Sequence, residues 1–344
     1  MKKLIVLSVL ATLISCNKQE EGIDINTLHF SIETPYGTHF ITGYEIPFTA
    51  RDNNGNDITQ SVDFFINGTP VQGNTHVFQQ PGNYTVTARW NLGGGAVKDA
   101  DNQITASVIH PRHNTYVVIE DFTGTWCVNC PRVQYKIEQL LAQNTEVYAV
   151  AIHDKANQTD PFHFDGVEDL TSTYNIAGYP TPLLNREEVW DEEVASVNAY
   201  LSKTKPLGLR VENTFDGTSL NLTVKVRFDM DLQRENYKLV VFALENGLHA
   251  DQANATNYYG GQDPIPDMEH NHVLRHAFTS VLGDDIPANQ CFFDNEYTWT
   301  YSGDMPSQIE DFNNAEFIAF VVQGDQTPVI VNAKKASVNQ TADY

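Results

Sequence analysis

Apolar positions change period several times along the chain, and each change marks an element. From Tyr116 to Phe122 the run Tyr-Val-Val-Ile-Glu-Asp-Phe is almost unbroken and rich in β-branched and aromatic residues, which predicts a buried strand. Val133, Ile137, Leu140 and Leu141 follow at helical spacing, with Pro131 in the first turn, where its missing N–H costs nothing. A second apolar run, Val147 to Ile152, predicts another strand, so this stretch is a βαβ unit. Earlier, from about Ile25 to Val108, short alternating runs are separated by turns such as Asn53-Asn54-Gly55, Asn67-Gly68 and Pro81-Gly82-Asn83, a β-sandwich pattern. Later, Asp191 can cap a helix carrying Val194, Val197, Tyr200 and Leu201 on one face, and Lys205-Pro206 ends that unit. Beyond it, Leu220 to Phe228, Tyr237 to Leu244, Glu316 to Val322 and Thr327 to Val338 are strand-like and predict a second sandwich, interrupted by a long polar loop from Asp251 to Asp267.

Composition narrows the partners. The 344 residues carry 44 acidic and 21 basic side chains, a formal charge of -23, and such a surface repels nucleic acid and anionic lipid headgroups. That length predicts two or three domains. Met1-Lys2-Lys3 followed by eleven largely apolar residues, Leu4 to Ile14, is too short to span a bilayer and reads as a leader.

Four cysteines are present, and two of them define a chemistry. Trp126-Cys127-Val128-Asn129-Cys130-Pro131 places two thiols at the spacing of a dithiol that can close on itself where a helix begins. Unpaired N–H groups and the positive end of the helix dipole favour thiolate on the first cysteine, the form that attacks a disulfide. Cys127 at an exposed helix tip is therefore the expected attacking thiol and Cys130 the resolving one. Cys291, in Gln290-Cys-Phe-Phe293, reads as a buried apolar thiol, with a resolving role for the dithiol as the alternative. His270 and His272, with His276 four residues on, could share a metal if the first two lay on one strand face; without a spaced cysteine or a defined carboxylate, cross-strand polar contacts are preferred, and no metal or cofactor is expected. Asp52 to Asp57 could likewise be a calcium loop, but its glycine is misplaced for an EF-hand and a hairpin turn is preferred.

Three segments carry resemblances. Gly178-Tyr179-Pro180-Thr181 leading into an apolar strand resembles the cis-proline loop of thioredoxins, and Trp-Cys-x-x-Cys with that loop is a specific combination. The resemblance implies a cis bond before Pro180, a loop facing the dithiol, and a substrate face built from Trp126, Tyr179 and Pro180. It also implies that Asp121, six residues before Cys127, is the buried proton acceptor for Cys130; the inner dipeptide, Val128-Asn129, departs from the family's Gly-Pro. Leu13-Ile14-Ser15-Cys16 resembles a bacterial lipobox, which implies cleavage before Cys16 and lipid on its sulfur and amino group, and Lys18-Gln19-Glu20-Glu21 resembles the surface-export tag of Bacteroidota. Val77 to Ala88, with Tyr84 after a Pro-Gly turn, resembles the late strands of immunoglobulin-like and polycystic-kidney-repeat modules.

The lipobox, the Phe122 to Pro131 segment and His270-Asn-His-Val-Leu-Arg275 together resemble the outer-membrane-protein-28-related lipoproteins of Bacteroidota. The expected organisation is a signal peptide over 1–15, a linker over 16–24, an immunoglobulin-like sandwich over 25–110, a thioredoxin-like domain over 111–205 and a C-terminal β-sandwich over 206–344, hence α/β plus all-β. The expected location is the outer membrane, facing surface or periplasm, through lipid on Cys16. Two functions stay open: a thiol-disulfide oxidoreductase acting on protein thiols, and a binding or adhesion lipoprotein in which Cys127–Cys130 is a static staple.

Overall fold

The computed structural model of the chain describes residues 25–156 and 158–344, so the leader, the lipobox and Cys16 lie outside the described residues. Residues 25–110 form a small β-sandwich. Its main sheet orders the strands His39–Ile41, Ile104–Ile109, Gly82–Gly93, Val62–Ile66 and Thr69–Pro70, with Ala96–Asp99 beside the long third strand. The Asn67-Gly68 turn between the last two has φ of 48° and 79°, the left-handed pair that a tight hairpin requires and that Asn-Gly tolerates best. Alternate residues face inward, so Phe40, Phe64, Val86, Ala88 and Ala106 share one core. Tyr84 donates from its hydroxyl to the Gln80 carbonyl at 2.9 Å, fastening the corner after Pro81-Gly82. The Asp52 to Asp57 segment is a turn in which the Asp52 carboxylate accepts from the backbone of Asn54 and Asn56 at 2.8 and 2.9 Å.

The remainder is built on one nine-stranded sheet. Its strands run in the order Glu188–Val189, Thr181–Leu184, Val117–Thr123, Val147–His153, Val273–Ala277, Tyr237–Glu245, Ala315–Gln323 and Val329–Ser337, with Asp284–Asp285 added beside Tyr237–Glu245. Val117–Thr123 and Val147–His153 are parallel and in register over their full length, joined by helix α1, Cys130–Leu141. Helices α2, Val167–Thr173, and α3, Val194–Leu201, complete this half. The Asp191 carboxylate accepts from the Glu193 N–H and the Ser196 hydroxyl, so it holds the start of α3 without being the cap residue itself.

Strand periodicity sorts the two faces. Val117, Ile119, Val147 and Ala149 pack with Val133, Ile137 and Leu140 of α1 and Val197 of α3, whereas Val118, Phe122, Val150 and Ile152 point the other way, toward Val167 and Leu170 of α2. That second core does not stop at the expected division near 205. It continues through Val240, Phe242, Leu244, Ile318 and Phe320, all fully buried. Residues 111–205 and 206–344 thus share a sheet and a core. A four-stranded antiparallel sheet of Glu296–Asp304, Ser219–Phe228, Leu207–Phe215 and Thr341–Ala342 shares a core with the C-terminal strands of this sheet.

The linker to the first sandwich is pinned by the buried Asp229 carboxylate, which accepts from the Arg112 backbone at 2.9 Å and from its Nε at 2.6 Å. Asp231 reaches back to the Thr38 and His39 strand region, and the His39 ring stacks on Phe293 with centroids 4.3 Å apart. Cys291 lies fully buried within the sandwich core, its thiol pushed up to about 12 by burial, and it is no partner for the dithiol. Among the described residues no helix is long and apolar enough to cross a membrane.

Candidate functional site

Cys127 and Cys130 form a disulfide, with Cα atoms 5.4 Å apart, at the end of the Val117–Thr123 strand. The turn is closed by Cys127 N–H to the Gly124 carbonyl and Cys130 N–H to the Cys127 carbonyl. Helix α1 starts only at Cys130, so the second cysteine occupies the first turn and the first lies ahead of it. Neither sulfur residue is at the surface: Cys127 is 3% and Cys130 2% exposed. This corrects the expectation of an exposed Cys127, and the cause is a segment far along the chain.

That segment is the start of the polar loop after Leu248–Gln252. Gln252, itself buried, donates from Nε2 to the carbonyls of Cys127 at 3.0 Å and Gly124 at 3.3 Å. Ala253 N–H donates to Thr125 O at 2.9 Å and Ala255 N–H to Val128 O at 2.8 Å, so the chain straps both sides of the first cysteine. The strap is held in shape by Asn254, whose amide donates to the Tyr258 and Gln262 carbonyls and whose backbone N–H donates to Asp263. Tyr258 and Tyr259 then pack on Tyr135 of α1, with centroids 4.9 and 5.9 Å away. Sequence reading places Asp251 to Asp267 in a polar loop but misses Gln252 and Asn254; polar side chains that serve backbone carbonyls inside the protein look the same in sequence as solvated ones.

On the other side of the disulfide, Trp126 donates its indole N–H to the Asp154 carbonyl at 2.7 Å and meets the Tyr179 ring edge-on at 5.4 Å. The Tyr179 hydroxyl bonds the Asp154 carboxylate. Gly124 makes room for this arrangement, since a Cβ there would lie 2.6 Å from the Trp126 indole nitrogen. The Tyr179-Pro180 bond is cis, as is Asp263-Pro264 in the strap. Trp126 and Tyr179 are thus in contact, and both they and Pro180 are half-buried.

Asp121, in the Val117–Thr123 strand that leads into the dithiol turn, is 3% exposed, with Oδ1 lacking a hydrogen-bond partner among the described residues. Burial pushes its carboxyl up to about 7, with Arg132 pulling in the opposite direction. His270, equally buried, is pushed down to about 3 by burial and by His153, whose ring is 5.5 Å away. Between about pH 4 and 7 the native state keeps a proton on Asp121 that the unfolded chain releases, so this group makes stability fall as pH rises through that window. His270 acts oppositely: its neutral native form contributes stability above about 6.5 that is lost as pH falls. Asp121→Asn should therefore leave the His270 slope unopposed. Its unfolding free energy should rise between about pH 4 and 6.5, by at most about 1.4 kcal/mol per pH unit for one proton, whereas the parent curve is flatter. Identical slopes in the two proteins would show that Asp121 titrates normally.

The three histidines singled out from sequence do not converge. His270 joins His153 and Phe162, His272 sits 3.4 Å from Glu316, and His276 meets Phe278 edge-on. Among the described residues no group of three or more His, Cys, Asp or Glu side chains is placed to hold a metal.

Comparison with known proteins bears on the larger frame. The family model described as outer membrane protein Omp28 matches residues 167–342, just over half of the chain, a span that contains Pro180, the strap and His270 but begins after the dithiol. HBP35 of Porphyromonas gingivalis is similar in structure at a TM-score of 0.51 and 20% identity, covering 67% of this chain and 77% of that one, a likeness of fold. A domain of the outer membrane lipoprotein Omp28 from the same organism also matches, at 16% identity and a TM-score of 0.25, over 39% of this chain and 89% of that one. The chain belongs to the Omp28 family of outer membrane proteins.

Proposed function

We propose that this protein is a binding lipoprotein of the outer membrane in which Cys127–Cys130 is a structural staple. In this reading an immunoglobulin-like sandwich over 25–110, a thioredoxin-like unit over 111–205 and the C-terminal sandwich present loops to a partner, and lipid on Cys16 tethers them. The observation that carries it is the strap: hydrogen bonds from Gln252, Ala253 and Ala255 close over the disulfide from the family-matched part of the chain. A disulfide so covered cannot meet a folded client without local opening. The test is turnover. The intact protein should accelerate insulin reduction by dithiothreitol no more than a Cys127→Ser/Cys130→Ser variant does, and a cysteine-dependent acceleration of tenfold or more would overturn the staple. Cys16→Ser should move the protein from the membrane to the soluble fraction; retention through a high-salt wash would refute the lipid tether.

One observation favours a second reading, thiol-disulfide exchange with protein clients. Asp121 is a buried carboxyl near neutrality with an unpartnered oxygen, in the strand that leads into the dithiol turn, and in this reading it takes the Cys130 proton. The Cys127 thiolate would attack a client disulfide, releasing one client thiolate and forming a mixed disulfide. Cys130, giving its proton to Asp121, would displace the second client thiolate and restore Cys127–Cys130, the client being reduced by two electrons. This route requires the strap to lift.

A further inference from the structure

The nine-stranded sheet has one weak seam. Val147–His153 and Val273–Ala277 meet at a single register pair, Ala151 with Val273, and the chain before Val273 turns away at His272, whose φ is 58°. The space left open between that turn, the strand and helix α1 is a cavity of about 380 Å³. This falls in the range of small-molecule sites, roughly 300 to 1,000 Å³. Ala149 and Ala151 on the strand leave the volume unfilled, and Ile137 with Leu141 of α1 give it an apolar wall.

Its polar lining is not that of a filler. Asp121 and His270 both line it, each 3% exposed, and Asp121 Oδ1 and His270 Nε2 have no hydrogen-bond partner among the described residues. A buried polar atom without a partner costs about 1 to 3 kcal/mol, which a ligand donor would recover. Among the described residues no lysine or arginine lines the cavity, while Glu138 joins Asp121 in doing so. An anion would meet two carboxyls and no cation, and the lining holds no metal-binding cluster.

We infer that this cavity binds a small primary amine with a compact apolar body, its ammonium donating to Asp121 and His270 and its body lying against Ile137, Leu141 and the two alanines. An ammonium has three N–H donors, enough for both atoms. The inference deepens the binding reading, but no arm of its test reads thiol chemistry, so the two can fail separately. Benzylamine, benzyl alcohol and benzoate present the same ring with a cationic, a neutral and an anionic head, and each is titrated into the full chain by calorimetry. Benzylamine should bind, with affinity in the millimolar range expected of so few atoms, and benzoate at least tenfold more weakly. Benzyl alcohol should fall between them. Ala151→Leu should fill the cavity and abolish benzylamine binding while circular dichroism and the thermal midpoint stay native; Asp121→Asn should weaken it by about tenfold, one lost charge-assisted contact. Benzoate binding as tightly as benzylamine, no benzylamine binding at roughly 10 mM, or benzylamine binding that survives in a folded Ala151→Leu would each overturn the assignment.

Discussion

Arg186→Met is expected to destabilise the protein by about 3 to 5 kcal/mol, lowering its thermal midpoint by roughly 4 to 7 °C. The Arg186 guanidinium grips the Glu120 carboxylate with two hydrogen bonds of 2.7 Å, and neither side chain has more than 1% exposure. Its remaining nitrogen donates to the Val281 carbonyl at 3.0 Å, and the rings of Phe320 and Tyr174 lie 5.0 and 5.3 Å from it. One side chain therefore joins the Val117–Thr123 strand, the turn after Thr181–Leu184 and the C-terminal part of the shared core. Removing it leaves a carboxylate buried with no counter-charge, the costly half of a buried ion pair. The double variant Glu120→Leu/Arg186→Met should recover much of the loss, because it removes the orphaned charge as well. Arg186→Lys should remain costly, since an ammonium cannot reproduce the two-toothed grip. Urea or thermal unfolding of the four proteins decides it. A single-variant loss below about 1 kcal/mol would show that water or a rearranged neighbour satisfies Glu120.

Glu120 and Asp121 also show where sequence reading stops. The apolar run around them marks the strand correctly, because a strand covered on both faces needs apolar residues at every position, and all seven of its residues are buried. The pair is visible as acidic residues near its end, yet the two point to opposite faces. Glu120 meets Arg186, 66 positions away, and Asp121 meets a cavity whose lining extends to His272. Local chemistry was legible wherever neighbours in sequence are neighbours in space. The dithiol turn, Trp126 beside it, the Asn67-Gly68 hairpin and the Tyr84 corner are all of this kind. The shared sheet was not, since its two halves meet through Ala151 and Val273, 122 positions apart, and a single pair leaves no periodic trace. His270 was noticed for its spacing to His272, but the contacts that matter to it come from His153 and Phe162.

The same distance effect governs the disulfide, and it yields the second large expected result. Gln252→Leu should make Cys127–Cys130 reducible by dithiothreitol about tenfold faster under native conditions, and Gln252→Leu with Ala255→Pro about thirtyfold or more. Reduction requires the strap to open, so its rate scales with the open population, and each factor of ten corresponds to about 1.4 kcal/mol. Leucine keeps most of the glutamine's volume while deleting its donations to Cys127 and Gly124; proline at 255 removes the N–H that reaches Val128. Net contributions of about 0.7 kcal/mol per hydrogen bond give the stated factors. The remaining strap contacts, Asn254 with Asp263 and the tyrosine pair on Tyr135, keep the opening local, so the urea midpoint of the whole chain should change far less than the reduction rate. Alkylation followed by mass measurement reads the rate directly. If the parent disulfide is reduced as fast as in the urea-unfolded chain, the strap gives no protection. If the variants match the parent, opening does not pass through Gln252 and Ala255. A thirtyfold gain accompanied by new cysteine-dependent insulin reduction would show that the strap, rather than the dithiol turn, is what holds thiol-disulfide exchange in check, and would move the functional assignment from staple to gated oxidoreductase.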